Sequence, residues 1–177
     1  MNNPVSARSK IYRIALDAML VAIFVILSMV PSEISWASLP VLLCAFLISP
    51  IDAITVAVCG SFIEQLWYGI NYTTVLWMLP WALFGCFVGI SAYVVRNRPK
   101  VWKTVVIIVC GEILLNLANT TVLCSLGYLS LDFSAAFGAL VILYLGRMPQ
   151  AIIRAVLSSI VVPLLIPPLR RALSRMR

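Results

Sequence analysis

Histidine is absent from the 177-residue sequence. That removes the commonest metal ligand and the commonest general base, so neither a Ser-His-Asp relay nor an HExxH zinc site can be assembled. Only six residues are acidic, and Asp17, Asp52 and Asp132 are scattered among different levels without the paired spacing of a metal site. No GxxxxGK[ST] run occurs, which excludes ATP hydrolysis by the usual phosphate-cradling loop. Cys44, Cys59, Cys86, Cys110 and Cys124 show no CxxC spacing. Each lies in or beside an apolar run, where a thiol behaves as a small hydrophobe. The chain reads as neither an enzyme nor a holder of a metal or cofactor.

Charge of any sign is scarce, at 11% of residues against 63% hydrophobic. No soluble domain of this size needs so much apolar surface, so the expected class is an all-α membrane protein with a single integral membrane domain over residues 1–177. A spanning helix takes about 20 apolar residues. The apolar runs predict six transmembrane helices at about 14–30, 39–48, 51–68, 74–95, 104–123 and 149–169. The second is short for a full crossing. Residues 135–145, broken by Gly138, read as a partial apolar segment before the last span. The first run resembles a signal peptide but is rather long for one, and is expected to stay as an uncleaved first helix.

The net charge of +7 could suggest nucleic acid. The positions of the cations say otherwise, because nearly all lie at the ends of apolar runs, as cytoplasmic flanks do. Arg8, Lys10 and Arg13 precede the first span, Arg96, Arg98, Lys100 and Lys103 crowd one short loop, and Arg170, Arg171, Arg175 and Arg177 end the chain. This pattern predicts cytoplasmic N- and C-termini, a lipid bilayer as environment and no nucleic-acid partner.

Ser61 to Gly85 is the most informative stretch. Gly69-Ile70-Asn71-Tyr72 reads as a helix break, and polar or aromatic groups flank it on both sides. Counting about 1.5 Å per residue from the span ends puts the polar groups of four spans in the outer leaflet. The candidate substrate contacts are Trp36 in the first outer loop, Glu64, Gln65 and Tyr68 ending span 3, Tyr72 in the turn, and Trp77 and Trp81 in span 4. Asn116, Asn119 and Thr120 share a face of span 5, which Glu112 extends toward the midplane, and Arg147, Gln150 and Arg154 open span 6.

Separate structural pairs, for instance Glu64 with Arg154, and an aromatic belt account for some of these residues. One ion pair does not require Asn116, Asn119, Thr120, Gln65 and Gln150 as well, since each buried amide must find partners. A pocket open to the outside is the expectation. In it Arg154 either orients a carbonyl or carboxylate of the ligand or is held by Glu64, Trp77 offers a stacking face, and Asn116 and Asn119 supply amide contacts. On span 1, Ala18 and Ala22 are four apart and form a small-residue stripe on which another helix can pack closely.

These features resemble the S components of energy-coupling-factor transporters, the small substrate-binding subunits of vitamin importers. The local matches are Leu16-Asp-Ala-Met-Leu-Val-Ala22, Ile48-Ser-Pro-Ile-Asp-Ala53, Thr73-Thr-Val-Leu-Trp-Met-Leu-Pro80 and the ending from Pro149 to Arg171. Ile48-Ser49-Pro50 stands where Phe-Gly-Pro is common in that family. The resemblance implies high-affinity binding of a vitamin or related heterocycle at the outer face of a bacterial cytoplasmic membrane. It also implies that Ala15, Ala18 and Ala22 dock on a separate transmembrane coupling subunit, which works with two ATPase subunits. The alternatives are a self-contained proton- or ion-coupled transporter using Glu64, Glu112 and Arg154, and a structural subunit with no ligand of its own.

Overall fold

The computed structural model describes residues 4–30, 36–71, 73–95, 100–127 and 133–176. Six helices account for nearly all of them: α1 (Pro4–Met29), α2 (Ser38–Leu47), α3 (Pro50–Tyr68), α4 (Thr74–Val95), α5 (Val101–Gly127) and α6 (Phe133–Met176). No strand occurs among the described residues. Four helices contain stretches long and apolar enough to cross a bilayer: Ile11–Met29, Thr74–Val95, Val101–Ser125 and Leu140–Leu173. The other two miss for different reasons. α2 has only 10 residues, and α3 is diluted by Asp52, Gly60, Ser61, Glu64 and Gln65.

The expected partial segment before the last span is not a separate element. Residues 133–176 form one helix of 44 residues with Pro149, Pro163, Pro167 and Pro168 inside it. A proline removes one backbone hydrogen bond, but its fixed φ is close to the helical value. Packing along α5 can then carry the helix through Pro149, where the sequence suggested a start.

α3 packs on α1 and α4, α4 on α5, and α5 on α6, while α2 touches α1, α3, α4 and α6. Four of the five longer helices thus pack on α2. Six of the ten α2 residues are buried, among them Val41, Leu42 and Cys44. The α3–α4 contact is close because its residues are small. A Cβ on Gly85 would stand 3.0 Å from the Ala57 Cβ and 3.1 Å from the Ala53 carbonyl oxygen, and one on Gly89 would stand 3.0 Å from the Pro50 Cα. Backbone cannot yield as a side-chain tip can, so this GxxxG pair sets the spacing of the two helices. Between them the predicted break is present. Gly69, at φ 91°, ends α3, the Thr73 amide donates to the Asn71 side chain at 2.9 Å, and the Asn71 amide donates to the Thr74 hydroxyl at 3.1 Å.

At the α2–α3 turn, Ser49 caps α3 by accepting from the Asp52 amide at 3.3 Å, with Pro50 in the first turn. Arg13 of α1 reaches across to this turn. Its Nε donates to the two Asp52 carboxylate oxygens at 2.9 and 2.7 Å, and a guanidinium nitrogen donates to the Ser49 hydroxyl at 2.6 Å. The Asp52 side chain is 7% exposed and that of Arg13 48%, so the two partners are not equivalent. Arg13→Gln leaves a nearly buried carboxylate without its cation and should cost about 1–2 kcal/mol of stability after allowance for solvent screening. Asp52→Asn frees an arginine that water can solvate, and should cost less. Thermal unfolding in detergent checks the order; equal or reversed losses would show that the pair is not set by the burial of Asp52.

Candidate functional site

The intramembrane polar groups are concentrated on two facing helices. α5 presents Glu112, Asn116 and Thr120, four residues apart on one face, with exposures of 0%, 2% and 0%. From α6, Arg154 brings a side chain only 16% exposed, and Ser158, one turn on, is buried. The first residue of α2, Ser38, is also buried. Its hydroxyl and that of Ser158 stand beside the Glu112 carboxylate without closing a well-formed hydrogen bond. Three elements therefore meet at Glu112.

Taking such groups out of water is costly unless every lone pair and proton is used, and here they are not. Arg154 Nε lies 3.6 Å from Glu112 Oε2, an ion pair too long for a hydrogen bond. Both Glu112 carboxylate oxygens, the Asn116 amide nitrogen, Arg154 Nε and one terminal nitrogen of Arg147 are buried without a hydrogen-bond partner. The Thr120 hydroxyl is engaged, donating to the Asn116 carbonyl at 2.8 Å, and keeps only acceptor capacity. Toward the chain end where α5 meets the start of α6, the Tyr144 hydroxyl reaches the Leu117 carbonyl at 3.2 Å and also bonds Thr121. The hairpin is therefore closed at one end, with unused donors and acceptors below that closure. Such a set can hold a small polar molecule in a fixed orientation.

The expected contacts divide. Asn116, Thr120, Arg147 and Arg154 lie on the two packed helices α5 and α6, with Asn119 and Gln150 half-buried on the same helices. Glu64 and Gln65 are half-buried on α3. α3 packs on α1, α2 and α4, whereas α6 packs on α2 and α5, and the carboxylate that Arg154 meets is Glu112, not Glu64. Trp81 is committed to packing. Its ring stands edge-on to Phe24 at 4.7 Å and to Phe84 at 6.0 Å between centroids, joining α1 to α4. Trp77 and Trp36 are half-buried, and Tyr68 is exposed. Tyr72 lies outside the described residues. Sequence reasoning missed Ser38 and Ser158, for which a serine in an apolar run gives no distinct signal. Glu112 carried a signal in its four-residue spacing from Asn116.

The model of the family described as ECF transporter, substrate-specific component, matches residues 12–166. The chain belongs to this family. The match spans α2 to α5 completely and most of α1 and α6. No curated protein matches the sequence. As an ECF substrate-specific component, the chain is a membrane transport subunit and not an enzyme. Family membership implies a small-molecule substrate and association with an ECF module of coupling and ATPase subunits.

Proposed function

We propose that this substrate-specific component binds a vitamin or related small heterocycle with high affinity at the outer face of the bacterial cytoplasmic membrane and delivers it to a transmembrane coupling subunit driven by two ATPases. The observation that carries the reading is the set of buried polar atoms on Glu112, Asn116, Arg147 and Arg154 that lack a hydrogen-bond partner. A purely structural polar core would have used them internally. A guanidinium beside a carboxylate, with an amide one turn along α5, suits a planar ligand with both acceptors and N–H donors. Asn119, Gln150 and Trp77 are the further contacts expected around it, with Trp36, Glu64, Gln65 and Tyr68 in or near the outer entrance.

The docking stripe is consistent with this reading. Ala15, Ala18 and Ala22 are all exposed, while Leu20 and Phe24, on the opposite face of α1, are buried. Only 11% of the apolar window of α1 is buried, against 33% and 39% for α4 and α5. A helix so lightly covered by its own chain is suited to receive another.

Mass spectrometry of the purified protein, followed by thermal-shift titration with a panel of water-soluble vitamins, tests the function. A stoichiometric co-purifying heterocycle that raises the unfolding temperature is the expected result. Proton-coupled flux by the chain alone would favour the self-contained transporter instead. For the six-span arrangement with both ends cytoplasmic, a cysteine at Asn71 should react with an impermeant reagent from outside, and one at Lys100 only after permeabilisation, in a cysteine-free background. Labelling of position 100 in intact cells would invert the arrangement.

A further inference from the structure

At the C-terminal end of α2, away from the polar cluster, the ends of α2, α4, α5 and α6 enclose a cavity of about 580 Å³. Its walls are apolar, formed mainly by Ala45, Phe46, Ala92, Val95, Pro163 and Ile166, and one turn further along α6 it is bordered by Arg170 and Arg171. Both arginines are exposed. Among the described residues no acidic side chain lines the cavity, and Lys100 and Lys103 directly precede Val101 and Thr104, which also line it. The cavity thus joins a greasy interior to a positively charged mouth.

We propose that it holds an acyl chain of an anionic phospholipid, with the lipid phosphate on Arg170 and Arg171. The volume lies within the roughly 300–1,000 Å³ of ordinary ligand sites. Apolar walls give nothing to orient a polar vitamin, whereas an amphiphile with an anionic head satisfies both parts. Guanidinium groups grip phosphate oxygens in pairs, and basic pockets between helix ends on the cytoplasmic side recognise lipid headgroups in this way. The site is separate from the substrate cluster and does not depend on which substrate binds there.

The test is native mass spectrometry of the full chain released from nanodiscs of mixed phosphatidylglycerol and phosphatidylcholine. The wild type should retain phosphatidylglycerol in preference to phosphatidylcholine. Arg170→Gln with Arg171→Gln should lower that retention by about thirty-fold, while the double lysine variant keeps most of it. Because both side chains are exposed, these variants should fold, and unchanged unfolding temperature confirms it. Equal retention of the two lipids, or no effect of the double glutamine variant, would overturn the proposal. So would displacement by millimolar inorganic phosphate, which would make this a soluble-anion site. A cavity-filling Ala92→Phe that blocked assembly with the coupling subunit but left phosphatidylglycerol retention intact would assign the surface to a protein partner instead.

Discussion

Tryptophan at Ala18 or Ala22 should abolish substrate uptake by cells while leaving substrate binding by the purified protein intact. Both positions are exposed, on the face of α1 turned away from Leu20 and Phe24. Added bulk there meets nothing within the chain. It would meet the backbone of any helix that approaches the stripe, and close approach is what small residues permit. The loss should be all or nothing, because an indole on either residue holds two helices apart along their length. Uptake assays in cells supplying the ECF module, paired with titrations in detergent, read the two effects separately. If binding fell in step with uptake, the stripe would be packing inside the protein, contrary to its exposure.

The second large effect concerns the polar cluster. Arg154→Gln and Asn116→Ala should each weaken substrate binding by roughly ten- to a hundred-fold, the equivalent of one lost hydrogen bond to a charged group at about 1.5–3 kcal/mol. Trp77→Ala should lose a similar amount if its ring stacks on the substrate. Single variants confuse two effects, since Arg154→Gln also leaves Glu112 buried without its cation. The double variant Glu112→Gln with Arg154→Gln separates them. Replacing both members of a buried pair with neutral groups is often tolerated, so this protein should remain monodisperse with little change in unfolding temperature and still fail to bind. Normal binding by the double variant would make the cluster structural and place the substrate elsewhere.

Local chemistry made much of the fold legible. Gly69 and Asn71 announced the turn between α3 and α4. The face shared by Asn116 and Thr120 followed from helical spacing alone. Relations across the bundle did not follow. Which carboxylate meets Arg154 depends on α6 lying against α5 and not α3, and nothing in the order of residues states that. The bridge from Arg13 to Asp52 spans 39 positions and was invisible for the same reason. Gly85 and Gly89 could have been read as a close-packing pair, but the partner surface of Ala53 and Ala57 is known only once the helices are in place. Pro149 misled because proline suits a first helical turn, yet is tolerated within a helix that packs on a neighbour.

The brevity of α2 has a mechanical consequence. Ten residues amount to about 15 Å, half of a hydrocarbon layer about 30 Å thick. The polar cluster begins beside its first residue, Ser38, and the apolar cavity lies below Ala45 and Phe46 near its last. Between these levels Val41, Leu42 and Cys44 are fully buried, wedged among helices on four sides. Any path along α2 from the polar cluster to the cavity would have to undo this packing on all four neighbours.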